Sequence, residues 1–345
     1  MFPIPVFDCH SDIPADIARR RAEGERRVFA RHYWPRLSQA GVVGSLFALW
    51  VEPPYRRNSA HRVLQLASAL WADIQESPEL IRIVTDDEPL DPTDSRFQVV
   101  LGLEGMTFVE QWLLDRNDHP ASLWEGYQES FTVLRRLGVR HAMLAWAETN
   151  ALASGPDVFP KTHSAHRPPG LTPLGRDIVR HLAGTGILLD ISHLDDTSAA
   201  DVCDSHSGLL IASHSNARAL SDHPRNLPDF LIKAIGDRHG IIGLNSYGPY
   251  VDKVHPTMDR LIDHLIYIAN LIGIRHVAFG FDFTDYLPTI YHASRPTEGL
   301  SRVEDVPPFL DRLSQRGFSD DEIRAVSFGN IQRVWDRQQQ SIQGG

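Results

Sequence analysis

Eight near-continuous apolar runs recur along the chain, at 6–12, 41–50, 97–105, 140–146, 186–193, 208–215, 240–247 and 276–283. Runs without strict polar and apolar alternation are expected of parallel strands covered on both faces. Between them lie stretches with apolar side chains at helical spacing, at 59–77, 123–137 and 257–272. In LTPLGRDIVRHLAGTG a Thr-Pro pair suits a helix start and the glycines its end. Eight such repeats predict an α/β fold of the closed (β/α)8, TIM-type kind. An open doubly wound sheet is the competing arrangement, because local pattern does not prove closure. No composition break divides the chain, so the expectation is one barrel domain over 1–345, with C-terminal helices at about 303–336 and a frayed polar tail, DRQQQSIQGG. Two long polar segments, 147–170 and 284–302, follow strands and are expected over the mouth of such a barrel.

Composition narrows the partners. With 34 Lys and Arg against 44 Asp and Glu the net charge is −10, and no basic cluster would follow a phosphate backbone, so no nucleic acid is expected. Cys9 and Cys203 are the only cysteines, too few for a disulfide framework or a thiolate metal site, and a reducing compartment fits them. No run reaches the roughly 18 apolar residues that span a bilayer. Neither terminus reads as a secretory leader or lipid-anchor signal. The expectation is a soluble, cytoplasmic protein with no membrane contact.

Polar residues of one chemical type stand at the ends of the runs. In VFDCHSDIP, Asp8, His10 and Asp12 occupy alternate positions, and residues two apart on a strand share a face. Glu104 ends the third run, His193 the fifth, His214 the sixth and Asp282 the eighth. In a barrel His10, Asp12, Glu104, His193, His214 and Asp282 meet at the C-terminal face, where barrel enzymes keep their chemistry. A single strand-end His or Asp is as well explained by a helix cap or a core hydrogen bond, and most of the 17 histidines need no function. Six ligand-type groups arriving at one face by accident is a far poorer explanation. Imidazoles and carboxylates without thiolate suit one or two borderline cations such as zinc, with manganese, cobalt or iron as alternatives. The two oxygens of Glu104 would let it join an ion at His10 and Asp12 to another at His193 and His214. Two ions about 3.5–4 Å apart acidify a shared water and polarise the bond it attacks.

At these residues the sequence resembles the membrane (renal) dipeptidase family, peptidase family M19, metal-dependent hydrolases of the amidohydrolase-like barrel group. DCHSDIP resembles the family's Asp-x-His-x-Asp opening, GLEG its bridging-glutamate motif, and GLTPLGRDIVRHLAGTGILLDISH its signature leading to a metal histidine. IASHSNARALSDHPRNLPD is similar to the segment with the second histidine and a substrate-binding arginine, and GFDFTD to the strand carrying the catalytic aspartate. The order holds from Asp8 to about Trp335.

The resemblance implies two Zn2+ per chain, one at His10 and Asp12, one at His193 and His214, with Glu104 bridging. It implies that Asp282 acts as general base and then acid, that Arg225 grips the substrate's terminal carboxylate, and that Tyr247 lies near that carboxylate. The implied activity is hydrolysis of a dipeptide, with a D-residue tolerated at its C-terminal position. A homodimer is compatible with this reading. The same site acting on another small amide, an N-acyl amino acid or a lactone is the alternative, and a barrel that binds without turnover is a third reading. One position departs from the family: animal-membrane members carry a histidine at the fourth strand's end that steadies the tetrahedral intermediate, and here Trp146 stands there. Its indole can donate one hydrogen bond but carries no charge, so it is expected to act as a pocket wall. Cys9 is expected on the strand face opposite the ligands, as a small core residue. Asp8 is expected on their face, as a partner that steadies one of them.

Overall fold

The computed structural model describes residues 4–85, 88–113, 129–156, 169–293 and 295–343. Among the described residues nine strands form one parallel sheet: β1 (Val6–Ser11), β2 (Val42–Trp50), β3 (Ile81–Ile83), β4 (Phe97–Glu104), β5 (Val139–Met143), β6 (Leu188–Asp190), β7 (Leu210–Ile211), β8 (Ile242–Leu244) and β9 (Val277–Phe279). Around the barrel the order is β7-β6-β5-β4-β2-β1-β9-β8. Ala212 bridges to Ile242 and so brings β7 beside β8, where Gly243 donates its N–H to the Ala212 carbonyl at 2.8 Å. This makes a nearly closed eight-stranded barrel, and the open sheet is excluded.

β3 corresponds to none of the eight apolar runs. Its three residues, Ile-Arg-Ile, pair with the start of β4 below the point where β5 joins it. So short a run carries too little periodicity to be read in advance.

Two apolar layers hold the barrel. Outside, strand residues such as Phe47, Leu49, Val99, Leu101, Leu189 and Phe279 pack against Leu66, Leu70, Ile178, Leu182, Leu265 and Phe309 of the surrounding helices. Inside, Phe7, Cys9, Leu46, Val100, Leu188, Ile211 and Ala278 form a smaller cluster with Phe328, Ile331, Val334 and Trp335 of the C-terminal segment. The helix Asn330–Gln343 thus plugs the N-terminal end of the barrel and leaves the other end for chemistry. The expected frayed tail is instead helical through Gln343, with Gln338 and Gln339 buried.

The expected helices at 59–77 and 257–272 are present as Ser59–Glu76 and Met258–Ile272. Thr172 caps Pro173–Ala183 by accepting the Gly175 N–H at 2.9 Å, as its Thr-Pro start suggests. Of the helix expected at 123–137, residues 123–128 lie outside the described residues, and of the 147–170 segment so do 157–168. No helix among the described residues is long and apolar enough to cross a membrane.

Candidate metal centre

β1 and β4 carry His10 and Glu104 within the strands themselves, whereas Asp12, His193, His214 and Asp282 lie just beyond strand ends. The regular pairing is shorter than the apolar runs because two of these residues leave strand geometry. His193 has φ 66° and Asp282 has φ 59°, left-handed conformations that cost a non-glycine residue about 1–3 kcal/mol and persist only where surroundings impose them. In exchange, both side chains turn over the barrel mouth.

There the six groups converge. Glu104 Oε2 is 3.5 Å from His10 Nε2, while Oε1 is 3.0 Å from His193 Nε2 and 3.8 Å from His214 Nε2. His10 Nε2 is 3.8 Å from both Asp12 Oδ1 and Asp282 Oδ1. The Nε2 atoms of His193 and His214 stand 2.8 Å apart, and the His10 and His214 rings stack at 3.8 Å. Two triads, His10–Glu104–His214 and His10–Asp12–Asp282, each bring donor atoms within 4.8 Å of one another. Both include His10, so neither triad reproduces the expected division of ligands; Glu104 turns one oxygen toward His10 and the other toward His193 and His214.

Burial drives the Glu104 carboxyl well above its ordinary range, opposed by His10. Burial also works against protonation of His10, yet Glu104, Asp12 and Asp282 prevail and push it up to about 10. His193 and His214 are held well below their ordinary value by burial, with Arg225 adding to it. Burial thus favours the neutral imidazole at both, the form that binds metals.

His10 Nε2, Asp12 Oδ1 and Glu104 Oε2 are buried without a hydrogen-bond partner among the described residues. Such atoms are costly unless something absent from the polypeptide satisfies them. Oxygen and imidazole donors converging without thiolate meet that description for a divalent cation.

The remaining predicted residues border this cluster. Asn245 donates to Asp282 Oδ2 at 3.0 Å, leaving Oδ1 toward His10. Desolvation raises the Asp282 carboxyl to about 6, again opposed by His10. Arg225 is 3% exposed, donates to the His214 carbonyl at 3.2 Å and lies 5.4 Å from the Tyr250 ring. Among the described residues no carboxylate forms an ion pair with it. Tyr247 is half-buried, 4.8 Å from the Tyr250 ring, and lines a cavity of about 220 Å³ together with Asp282. Trp146 stacks on His193 at 5.7 Å and leans on Trp50 at 5.4 Å.

The faces expected along β1 are corrected, although Cys9 is the buried core residue expected of it. Cys9 packs with Leu46, Val100 and Leu188 inside the barrel, whereas Asp8 borders a small outer cavity with Tyr33, Leu37 and Tyr286. The cause is a register shift against β2: Asp8 pairs with Ser45 and Ser11 with Phe47, so three steps on one strand match two on the other. One extra residue interrupts the alternation on which the expectation rested. Asp8 still serves His10, since its Oδ1 accepts the His10 N–H at 3.3 Å and the Phe281 N–H at 2.8 Å.

Sequence reasoning missed Asn245 and Arg56. Asn245 sits two residues before Tyr247, in a run read only as a strand. Arg56 is buried, lies 4.9 Å from the Trp146 ring and contacts Glu148. No local pattern marks it.

The sequence pattern of the membrane dipeptidase family (peptidase family M19) matches residues 1–343. A protein named as an uncharacterized dipeptidase of Schizosaccharomyces pombe is 27% identical, covering 96% of this chain and 80% of its own length. Among solved structures, the metallopeptidase named dipeptidase AC superposes with a TM-score of 0.79 at 21% identity, covering 97% of this chain and 98% of the other. A metallopeptidase from Rhodobacter sphaeroides, liganded with a phosphinate mimic of the dipeptide L-Ala-D-Ala, gives 0.79 at 20% identity, covering 97% and 99%. With this match over almost its full length, the chain belongs to the membrane dipeptidase family, peptidase family M19, and is a metal-dependent dipeptide hydrolase.

Proposed function

We propose that the chain cleaves dipeptides with two zinc ions, one held by His10 and Asp12, the other by His193 and His214, and both by Glu104. The observation that carries this is the split of the Glu104 carboxylate, one oxygen toward His10 and the other toward His193. Ions in these places would supply an acidified water and a polarised carbonyl. Asp282 is positioned to take a proton during attack and return it to the leaving amine. Arg225 offers a buried, uncompensated charge to the substrate's terminal carboxylate, with Tyr247 lining the same side.

Purified protein is expected to hold about two metal ions per chain and to lose dipeptidase activity on chelation, regaining it with zinc. Metal analysis and a dipeptide library assayed before and after reconstitution test this. Full activity in metal-free protein would overturn it, and a single tightly bound ion would reduce the ligand set.

Trp146 forms the wall between His193 and Trp50, beside a cavity of about 210 Å³ lined by Trp50, Tyr55, Leu287 and Tyr291. As a wall it selects by shape, so Trp146→Phe should change kcat by less than about tenfold while reordering kcat/KM among dipeptides. A uniform fall of about 100-fold or more would instead identify an indole N–H that stabilises the transition state. A lowered melting temperature with unchanged ranking would reduce Trp146 to packing.

A further inference from the structure

Beneath the ligand side chains lies a buried hydrogen-bonded pair that the chemistry above leaves unused. His141 of β5 and Asp190 of β6 meet inside the barrel, Nε2 to Oδ2 at 2.7 Å, with both side chains fully buried. We propose that this pair is a positioning device that sets the spacing of His193 and His214.

The argument rests on what the other Asp190 oxygen holds. Oδ1 accepts the Ser192 N–H at 2.7 Å and the Ser213 N–H at 3.2 Å. Ser192 immediately precedes His193, and Ser213 immediately precedes His214. One carboxylate therefore ties together the two backbones from which the imidazoles spring, although they belong to different strands. The serines extend the tie: Ser213 Oγ meets His214 Nδ1 at 2.8 Å, and Ser192 Oγ accepts the His214 N–H at 3.3 Å. The result is a His193–His214 separation of 2.8 Å between Nε2 atoms, with His193 kept in its left-handed backbone.

A buried polar pair is a poor way to gain stability compared with an apolar core, and its neighbours Cys9, Leu188 and Ile211 show that apolar residues fill this level. Its worth lies in direction, because a hydrogen-bonded carboxylate fixes both amides where apolar packing would leave them free to slide. Gly102 makes the space: a Cβ there would collide with His141 Nδ1.

The inference rests on His193 and His214 being ligands, so His193→Ala is measured alongside. The test uses the full chain reconstituted with zinc or cobalt, with metal affinity read by chelator competition, the visible absorption of the cobalt form, and the melting temperature of metal-free protein. Asp190→Asn and His141→Leu should weaken binding of one of two ions by about 10- to 100-fold and shift the cobalt spectrum. His141→Gln, which keeps a donor toward Asp190, should stay near the parent. If Asp190→Asn does not fold, His141→Leu and Gly102→Ala, which displaces the imidazole without altering either side chain, carry the same expectation. Wild-type affinity and spectrum in the folded variants, with only the melting temperature lowered, would overturn the proposal. Unchanged metal binding in His193→Ala would instead refute the ligand assignment beneath it.

Discussion

Replacing Asp282 by Asn is expected to leave the metal content intact and to lower kcat by about 100- to 10,000-fold, the range over which a positioned proton carrier acts. The carboxylate is held by Asn245, whose amide donates to Oδ2 at 3.0 Å, while Oδ1 faces His10 at 3.8 Å. An asparagine at 282 must accept from Asn245 with its single oxygen, which turns its own NH2 group toward the centre. There it can donate but cannot take up a proton. Asp282 also belongs to a triad with His10 and Asp12 that has the spacing of a ligand group, and the same variant separates the roles. Lost metal with an unchanged residual rate per bound ion would make Asp282 a ligand; retained metal with a collapsed kcat makes it the proton carrier.

The barrel was legible because its strands are covered on both faces, so each reads as an unbroken apolar run and the polar residue ending it stands out. Glu104, His193, His214 and Asp282 were found this way, by position rather than by any local motif. The sequence concealed what depends on backbone geometry. Alternation along 6–12 misplaced Asp8 and Cys9, because a register shift inserts one residue between Asp8 and Ser11, and nothing in the residue types announces it. His193 and Asp282 read as strand residues, yet their positive φ values require that the strands stop short of them. Asp190 and His141 lie inside runs quoted as strands, where two polar residues look like noise until the fold brings them within 2.7 Å. An arginine in a polar loop such as that of Arg225 is ordinarily half of a salt bridge, and only the tertiary structure shows a guanidinium without that partner among the described residues.

That isolated guanidinium sets the second large expectation. Arg225 is 3% exposed; its Nη2 donates to the His214 carbonyl at 3.2 Å, its Nη1 reaches Ser215 Oγ at 3.5 Å, and its Nε has no hydrogen-bond partner among the described residues. These contacts are neutral acceptors, and a buried cation served only by neutral groups stays costly until an anion arrives. The free carboxylate of a dipeptide is such an anion, and a planar fork of donors can meet it at two points. Removing one partner of a buried charged pair costs about 2–5 kcal/mol, so Arg225→Ala should raise KM by roughly 30-fold or more, with a smaller change in kcat. The apolar face of Tyr250, 5.4 Å from the guanidinium carbon, remains in the variant but cannot replace the charge. Dipeptides amidated at the C-terminus provide the control: they lack the anion, so the parent protein should bind them poorly and the substitution should hardly alter their KM. An unchanged KM for free-acid dipeptides would remove Arg225 from substrate binding. An equal rise for acids and amides would show that the arginine shapes the pocket through its packing on His214 and Tyr250 instead of meeting the carboxylate.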